Sequence, residues 1–516
     1  MIDGSVILTM QGINKSFDGN RALNDVHFFL NSREIHGLLG GNGAGKTTLM
    51  NVLYGLYRMD SGEVLLHGKK VKINSPKDAI QNRIGMVHQH FLQVNNFQVI
   101  ENIVLGTKID QSMTMNLSSE EEKLRELMKR FGIDVDLHAS ISQLPMGTRQ
   151  KVEILKALYR GVEILILDEP TTNLIPQEVD DLFHSLRAMV NEGLSIVFIT
   201  HKLREVLSVC DRITVLRNGL NVTTLKRGEA SEDDFVRAMV GEEVDINKSV
   251  IFSKGKIDMT PRKIQEEVVV KMENITLLNQ DGLPLIKDIC TEIHAGEIFG
   301  ISGVAGNGQR EIAEVLMGIR RQSNGRILFK GHPIPSKTSE LLEAGFTYIP
   351  EDRLEDGYLP KAIVAQNIIL GGQSHEPYSH KGFIDWKKIS AISKALISEY
   401  HIKTSGPEEV AGNLSGGNIQ RVMIARAFSQ PCKFMVAHNP TRGLDIPSMD
   451  FVYKKLFEAK QSGVAVLLIS EDLDELLLMS DRMGVVYRGE LVGVLDRDKF
   501  EKYLIGRMMS GVRTSD

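Results

Sequence analysis

The chain has 516 residues, which is too long for one ordinary hydrophobic core, so two or more domains are expected. Its formal net charge of −5 offers no electrostatic case for a nucleic-acid partner. The three cysteines stand far apart without metal-ligand spacing, as expected for thiols in a reducing compartment. No signal peptide or bilayer-length apolar run is evident, so the composition favours a cytoplasmic protein that meets a membrane only through a partner.

The first chemical motif follows a short apolar run, Glu34–Leu39, that is predicted to be a strand. Next comes a segment of helical spacing, Lys46–Leu56, and the loop between them presents backbone N–H groups to an anion. Lys46 adds positive charge for the β- and γ-phosphates of a nucleotide, and the hydroxyl of Thr47 can ligate Mg²⁺. The bland alternative is a glycine turn that happens to precede a lysine. The candidate nucleotide-binding residues here are Gly40, Gly41, Asn42, Gly43, Ala44, Gly45, Lys46, Thr47 and Thr48.

The next informative strand, Glu163–Asp168, ends in one carboxylate, and a second, Glu169, follows directly. Asp168 at the strand tip can hold Mg²⁺, and Glu169 can polarise a water for in-line attack. An apolar run ending in Asp-Glu is by itself typical of a strand meeting a solvated turn, but behind a phosphate loop it favours catalysis. His201 follows another apolar run, Ser195–Thr200, that is predicted to be a strand, and it is a candidate contact for the γ-phosphate. Gln89 is a candidate for sensing Mg²⁺ and the attacking water.

Between these motifs, residues 97–160 differ in character from the strands around them. The string LSSEEEKLRELMKRFGI opens with a Ser-x-x-Glu capping signal and continues as an amphipathic helix. The pattern predicts a helical subdomain inserted into an α/β core.

The whole pattern then repeats. Gly308 aligns with Gly45, and Leu414 aligns with Leu144, at a nearly constant spacing along the chain. The repeat predicts two tandem domains, residues 1–243 and 268–516, joined by a polar linker at residues 244–267. The two copies are not equivalent, because Gln309 and Arg310 replace the lysine and hydroxyl after the second glycine loop. The second copy in turn reads Leu-Ser-Gly-Gly-Asn at residues 414–418, where the first reads Leu-Pro-Met-Gly-Thr.

This set of motifs resembles the nucleotide-binding subunits of the ATP-binding-cassette (ABC) family over essentially the whole chain. The resemblance implies an α/β fold with two tandem ABC-type P-loop NTPase domains, each a mixed or parallel sheet core with an inserted helical subdomain. In family terms, residues 40–47 are Walker A, Gln89 is the Q-loop and residues 164–169 are Walker B. His201 is the switch histidine, and Phe17 stands where the family places an aromatic that stacks on adenine; in isolation such a Phe is more often part of a core.

Cassettes of this family pair head to tail, with each ATP held between one domain's Walker motifs and the other's signature. Pairing of the two domains of this chain gives one complete site, in which the second domain supplies Ser415, Gly416, Gly417, Asn418 and the D-loop carboxylate Asp445. In the second site, His438 and Asn439 replace the Walker B carboxylates, and Glu351 and Glu471 replace the Q-loop glutamine and switch histidine. We therefore expect one hydrolytic site, using ATP and Mg²⁺, and one structural or weakly binding site.

Tandem cassettes with this defect pattern resemble the importer ATPases for ribose, galactose and nucleosides, and strings such as GMVHQHF and VLLISEDLDE lean toward nucleosides. The resemblance implies a peripheral protein on the cytoplasmic face of the inner membrane, bound to integral permease subunits and served indirectly by an extracytoplasmic solute-binding lipoprotein. Phe91, Leu92, Val94 and Phe97 line a groove for the permease on this interpretation and pack in the core on the alternative one. A monosaccharide importer, a ribosome-acting soluble tandem ATPase and an exporter ATPase are the rival interpretations, the last two disfavoured by the defect pattern.

Overall fold

The computed structural model describes residues 5–17, 19–89, 91–107, 117–241, 249–251, 265–374 and 376–513. The chain separates into two compact units, residues 1–245 and 246–516. Most of the predicted linker, namely residues 244–248 and 252–264, lies outside the described residues, so the boundaries proposed from the sequence stay predictions.

The first unit is built on two sheets. One is antiparallel and has the strand order Asn20–Asn31, Val6–Phe17, Ser61–Leu66, Lys69–Val71. The other has the order Leu220–Lys226, Arg212–Arg217, Ile35–Leu39, Ser195–Thr200, Ile164–Asp168, Ile84–Val87, and it is parallel except for the pair at the Leu220–Lys226 edge. Every residue of Ile35–Leu39 and Ile164–Asp168 is buried, which explains why these strands are nearly continuous apolar runs.

The helices of the first unit are Lys46–Leu53, Pro76–Gln81, Val99–Val104, Leu117–Phe131, Met146–Tyr159, Pro176–Asn191, Leu203–Val209 and Glu232–Val240, with a 3₁₀ turn at Ile141–Gln143. The core lies between the two sheets. There Leu49 and Met50 of the first helix pack in one cluster with Met10 of the antiparallel sheet and with Ile166 and Val197 of the parallel sheet.

The second unit repeats this plan. Its antiparallel sheet has the order Pro284–His294, Val268–Leu278, Asn324–Phe329, His332–Pro333, and its mainly parallel sheet has the order Glu490–Asp496, Arg482–Tyr487, Ile298–Ser302, Ala465–Ile469, Phe434–His438, Phe346–Ile349. A small hairpin pairs Ser379–His380 with Phe383–Ile384. The helices are Gln309–Leu316, Thr338–Ala344, Val364–Ile369, Trp386–Glu399, Gly416–Ser429, Ile446–Gln461, Leu473–Met479 and Lys502–Met509, with a π turn at Arg353–Gly357 and 3₁₀ turns at Ala411–Asn413 and Arg497–Lys499.

The two parallel sheets share one strand order, so the repeat seen in the sequence is a repeat of fold. Helices are inserted after the Ile84–Val87 strand and after its counterpart Phe346–Ile349. The α/β class predicted from the sequence is confirmed. Within the part of the chain that is described, no helix is both long enough and apolar enough to cross a bilayer.

Candidate functional site

The first glycine loop, residues 40–45, joins a buried parallel strand to the helix Lys46–Leu53. Gly43 and Gly45 have φ angles of 77° and 100°, a region that side chains disfavour. A Cβ atom on Gly45 would also lie 2.8 Å from the carbonyl oxygen of Ala22. Glycine is therefore required at residue 45 both by the backbone conformation and by the space around it.

Lys46 is 6 % exposed, and its ammonium group donates hydrogen bonds to the carbonyl oxygens of Gly40 at 2.8 Å and Gly41 at 3.0 Å. Burial lowers the pKa of Lys46, while the charges of Glu169 and Asp168 act in the opposite direction. The ammonium group thus lies over the loop, where it offers positive charge to the phosphates of a bound nucleotide. Asn42 and Ala44 complete the loop, and Thr48 lies half-buried in the first turn of the helix.

The other candidate residues of the first unit meet at one edge of its parallel sheet. Asp168 ends a strand, and His201 directly follows the neighbouring strand. Gln89 lies two residues beyond the end of the outer strand. Because the carboxyl ends of parallel strands share an edge, residues far apart in sequence come together beside the phosphate loop.

Glu169 is held by two side chains. Nδ1 of His201 lies 2.9 Å from its Oε1, and Nε2 of Gln89 donates a hydrogen bond to its Oε2 at 3.3 Å. Burial raises the pKa of Glu169, but the hydrogen bond and charge of His201, together with the charge of Lys46, outweigh it, so the net pKa is lowered. A carboxylate that remains ionised and oriented in this way can accept a proton from a water molecule.

Asp168 and Thr47 form the second pair. Oγ1 of Thr47 donates a hydrogen bond to Oδ1 of Asp168 at 3.3 Å. Burial and the neighbouring charge of Glu169 raise the pKa of Asp168 to about 6, against the opposing effects of Thr47 and Lys46. A hydroxyl and a carboxylate are ligands that Mg²⁺ prefers, and a divalent cation would neutralise the excess negative charge that raises this pKa. The donor set therefore fits Mg²⁺ bound together with a nucleotide.

The second glycine loop, residues 303–308, keeps the backbone shape of the first, since Gly306 and Gly308 have φ angles of 84° and 107°. Its interior is occupied by Gln309, which is 6 % exposed. Nε2 of Gln309 donates to the carbonyl oxygen of Val304 at 3.0 Å, and its Oε1 accepts the N–H of Asn307 at 3.0 Å. The amide thus uses a loop N–H that could serve a phosphate, and it brings no positive charge.

The cation-binding positions of the second unit are also changed. Arg310, at the position of the Walker A hydroxyl, donates to Glu314 at 2.8 Å and to Asp356 at 3.3 Å. Burial lowers the pKa of His438 to about 4, against the opposing charge of Glu351. Where the first unit has Asp168, the candidate metal-binding carboxylate, the second therefore has an uncharged imidazole at neutral pH.

Arg442 joins three of the remaining changed positions. It donates to Oε1 of Glu351 at 2.8 Å and lies 3.7 Å from Oε2 of Glu471. Oε1 of Glu351 also accepts a hydrogen bond from Nδ2 of Asn439 at 3.2 Å, and Oδ1 of Asn439 accepts the N–H of Glu471 at 3.0 Å. An arginine-centred network thus links the counterparts of the first unit's glutamine, glutamate and histidine.

The signature string of the second unit lies at an unobstructed helix N-terminus. Ser415 is the exposed residue before the helix Gly416–Ser429, and its Oγ accepts a hydrogen bond from Nδ2 of Asn418 at 2.8 Å. A Cβ atom added to Gly416 or Gly417 would meet nothing within 4 Å. Because no protein atom crowds the Cβ positions of these two glycines, the N-terminus of the helix is open to a ligand and can bind an anion.

The corresponding helix of the first unit, Met146–Tyr159, is covered at the same place. A Cβ atom on Gly147 would clash with Oε1 of Glu178, while Oε2 of Glu178 accepts the N–H of Ile175 at 3.0 Å. Burial raises the pKa of Glu178, against the opposing effects of that N–H and of Lys151. A carboxylate group therefore lies where the helix dipole would otherwise attract a phosphate.

Two predicted residues lie apart from these groups. Asp445 is an exposed N-cap, and its Oδ1 accepts the N–H of Ser448 at 3.0 Å.

Phe17, at the end of the first strand, is 38 % exposed. Its ring centroid lies 5.1 Å from that of Tyr57 and 5.2 Å from the ammonium group of Lys15, and the exposed part of the ring suits stacking on a base.

The sequence did not predict a role for Glu178 or Arg442, because neither residue marks a known motif. A glutamate in the first turn after Pro176 simply predicts a capping box. A position-by-position comparison of the repeats carries the missing signal, since Ser448 stands where the first unit has Glu178.

The fold and the loop define a class of protein with two tandem P-loop ATPase domains. The model of the ABC transporter family matches residues 23–172 and 286–442. The chain therefore belongs to the ABC transporter family and is an ATP-hydrolysing transport ATPase, so this part of the sequence interpretation is confirmed.

Several relatives match nearly the whole chain, and three of them show the range of solutes in their names. It is 37 % identical over 506 residues to the nucleoside import ATP-binding protein NupA of Lactococcus lactis, with 98 % of each chain covered. It is 37 % identical to the glucose import ATP-binding protein TsgD13 of Haloferax volcanii, covering 98 % of this chain and 96 % of the relative. It is also 37 % identical to the guanosine import ATP-binding protein NupO of Bacillus subtilis, covering 98 % and 97 %.

Proposed function

We propose that the chain is the energy-coupling subunit of an ABC importer for nucleosides and that it works through one competent ATP site. The import role is supported by all three relatives, and two of them are named for nucleosides. A monosaccharide importer is the second candidate, because the glucose import relative is equally similar.

In this proposal the two cassettes pair head to tail around one ATP. The observation that carries it is the division of labour between them: the first has the lysine-bearing loop, and the second has the unobstructed helix N-terminus. The site would combine Lys46, Thr47, Gln89, Asp168, Glu169 and His201 of the first cassette with Ser415, Gly416, Gly417, Asn418 and Asp445 of the second.

Each group has a chemical task in that arrangement. Glu169 accepts the proton of the attacking water as the bond to the γ-phosphate forms and the bond to the β-phosphate oxygen breaks. Lys46 and the first N–H groups of the signature helix stabilise the charge on the transferring phosphoryl group. Mg²⁺ held by Thr47, Asp168 and Gln89 would neutralise phosphate charge when bound. Phe17 would stack on the adenine.

The second combination of motifs lacks the groups that would perform these tasks. Gln309 offers an amide in place of the lysine, and Asn439 stands in place of the general base. Glu178 covers the helix that would contribute the signature. Loss of a general base alone costs about 10²–10⁴ in rate, so we propose that this second site does not turn over.

The membrane partner would be an integral permease, which the chain would bind at the cytoplasmic face of the inner membrane and which an extracytoplasmic solute-binding lipoprotein would supply. Leu92, Val94 and Phe97, which follow the Gln89 loop, are 69 %, 38 % and 38 % exposed, so they do not form part of the core. Their exposure supports a contact surface for the permease. Closure of the cassettes on ATP and their release after hydrolysis would move this surface.

Steady-state ATPase activity of matched loop variants tests the single-site proposal. Lys46→Ala and Glu169→Gln are expected to abolish turnover, because each removes a group of the competent site. Gln309→Ala, at the lysine's counterpart, is expected to leave turnover nearly unchanged. A strong loss from Gln309→Ala would refute the model of one working site.

Uptake of labelled solutes tests the cargo. A strain lacking this chain should lose uptake of nucleosides and keep uptake of pentoses, and the opposite loss would favour the monosaccharide importer. Genes for a permease and a binding lipoprotein beside the coding region would support import, whereas their absence would favour a soluble tandem ATPase that acts on ribosomes.

A further inference from the structure

The chain that enters the second unit is fixed there at one buried carboxylate. Ser249 and Val250, which belong to the predicted linker, are 1 % and 2 % exposed. Asp450, on the helix Ile446–Gln461, accepts hydrogen bonds from Oγ of Ser249 at 2.8 Å and from the N–H of Val250 at 2.5 Å. The N–H of Ile251 lies 3.4 Å from the same oxygen.

This contact is stronger than an ordinary surface contact. Asp450 is 6 % exposed, and its second oxygen pairs with Lys454 at 2.7 Å. A buried carboxylate is costly unless hydrogen bonds and a cation compensate it, and hydrogen bonds to an ionised acceptor are the stronger kind. The three donors of the connecting chain therefore stabilise Asp450, and Asp450 in turn holds the connecting chain in place.

The anchored helix is also the one that contributes the D-loop residue to the proposed ATP site. Asp445 caps its N-terminus, and Oγ of Ser448 in its first turn accepts a hydrogen bond from Arg421 at 2.7 Å. Arg421 belongs to the signature helix Gly416–Ser429. The connecting chain is thus attached to Asp450, about one helical turn from the D-loop residue Asp445 and within one turn of Ser448, which contacts the signature helix.

We infer that Asp450 is a positioning residue that shortens the tether between the two cassettes and thereby favours their pairing on ATP; this rests on the head-to-tail pairing proposed above. From Gly241, at the end of the helix Glu232–Val240, to Ser249 there are eight peptide steps. Their fully extended reach is at most about 29 Å. Among the residues that the structure describes, the next backbone attachment after Ile251 is at Glu267, whose carbonyl oxygen accepts the N–H of Ala295 at 3.0 Å. With the anchor released, the tether becomes roughly three times as long.

Tether length sets the effective concentration of one cassette near the other. Effective concentration falls roughly as the −3/2 power of tether length, so a threefold increase lowers it by about 5-fold. Pairing that depends on ATP would then need more ATP, while chemistry within the paired state would not change. We expect the ATP concentration for half-maximal hydrolysis to rise by about 5-fold, with the maximal rate changed by less than about 2-fold.

The test compares four variants of the full chain. Asp450→Ala removes the acceptor, and Val250→Asp keeps Asp450 but puts a charged side chain at a buried position of the connecting chain. Asp450→Asn keeps an acceptor oxygen, so it should retain part of the anchoring and raise the half-saturating ATP concentration less than Asp450→Ala does. Asp180→Ala is the matched control, because Asp180 holds the corresponding helix position in the first cassette.

Two measurements separate anchoring from a general loss of structure. Hydrogen exchange should show protected amides at Val250 and Ile251 in the wild type and in Asp180→Ala, and loss of protection in Asp450→Ala and Val250→Asp. ATPase rates over a range of ATP concentrations should show the rise in half-saturation only where protection is lost. Unchanged protection, or lost protection without a rise in half-saturation, would overturn the inference. Activity that survives Lys46→Ala would instead overturn the proposed single site, so the two failures are distinguishable.

Discussion

Nδ1 of His201 lies 2.9 Å from Oε1 of Glu169, across the carboxyl ends of two neighbouring parallel strands. Burial by itself would raise the pKa of Glu169, and the hydrogen bond and charge of His201 are the main opposing effects. His201 therefore keeps the proposed general base ionised and oriented.

His201→Ala should move the acidic limb of the activity profile to higher pH. Without the imidazole, burial acts on Glu169 with less opposition, so the pKa of the carboxyl rises and more of the base is protonated at a given pH. Rates measured at saturating Mg-ATP from pH 5 to pH 9 would show the shift together with a lower maximum. His201→Gln, which can still donate a hydrogen bond, is the control and should shift the limb less. An acidic limb that does not move in His201→Ala would show that the pair has no part in tuning the base.

Asp168→Asn should stabilise the first unit and abolish its activity. The pKa of Asp168 is raised to about 6 by burial and by Glu169, so the folded state binds this proton more tightly than the unfolded state does. The ionised carboxylate therefore costs stability above about pH 6, and that cost disappears as pH falls below the unfolded value. Replacement by the neutral amide should raise the free energy of unfolding at pH 7.5 by about 2–3 kcal/mol.

Urea denaturation without nucleotide at pH 7.5 and pH 4 measures this effect. The gain should be complete at the higher pH and fall below about 1 kcal/mol at the lower, because pH 4 lies close to the unfolded pKa of Asp168 and well below its folded pKa of about 6. ATPase activity should fall by at least about 10²-fold, since a Mg²⁺ ligand is lost. A variant that is inactive without a gain in stability would show that Asp168 is not strained in the nucleotide-free protein.

The fold was predictable because its signals are local. Ser195–Thr200 is a strand with the bounds that its apolar run predicts. The helix starting at Lys46, however, ends at Leu53 and not at Leu56, because Gly55 adopts a φ of 79° just past the helix. A glycine in that position is a known stop signal for a helix, which a search for periodicity alone overlooks.

The motifs predicted the chemistry of the first unit, but not what replaces it in the second. The hydrogen bonds of Gln309 within its own loop and the clash that Glu178 imposes at Gly147 depend on how side chains pack in three dimensions. The anchoring of Ser249 by Asp450 joins residues about 200 positions apart, and neither belongs to a motif. Interactions of this kind leave no periodic or spaced pattern for a sequence to display.

Arg442→Ala should weaken the second unit without impairing catalysis. The change leaves Glu351 and Glu471 near each other without their shared cation. Because Arg442 is 49 % exposed, solvent screens the pair, and we expect a loss of about 1 kcal/mol in the free energy of unfolding.

The same change has a definite pH dependence. Burial already raises the pKa of Glu471, and loss of Arg442 raises it further. A carboxyl whose pKa is raised on folding costs stability once it is ionised, so the deficit of Arg442→Ala should be larger at pH 8 than at pH 5. Thermal unfolding at both pH values measures the deficit, with Arg442→Lys as the charge-retaining control. A fall in ATPase activity at a temperature where the variant is folded would contradict a purely structural role.

Alanine at the two corresponding signature glycines should have opposite effects. Gly417→Ala adds a methyl group that meets no protein atom within 4 Å, so the helix should be stabilised by about 0.5–1 kcal/mol. The same methyl group would come between the helix N–H groups and the proposed γ-phosphate, so ATPase activity should fall by about 10²-fold.

Gly147→Ala puts the methyl group against the carboxylate of Glu178, which must swing away and release the N–H of Ile175, so the first unit should lose about 0.5–1.5 kcal/mol of stability. ATPase activity per folded molecule should remain near that of the wild type, because the first unit's helix does not belong to the proposed competent site. Unfolding curves and ATPase rates of the two variants, measured side by side, give each variant the other as its control. Equal losses of activity in both variants would mean that both helix N-termini bind nucleotide, and the asymmetry proposed for the two sites would then be wrong.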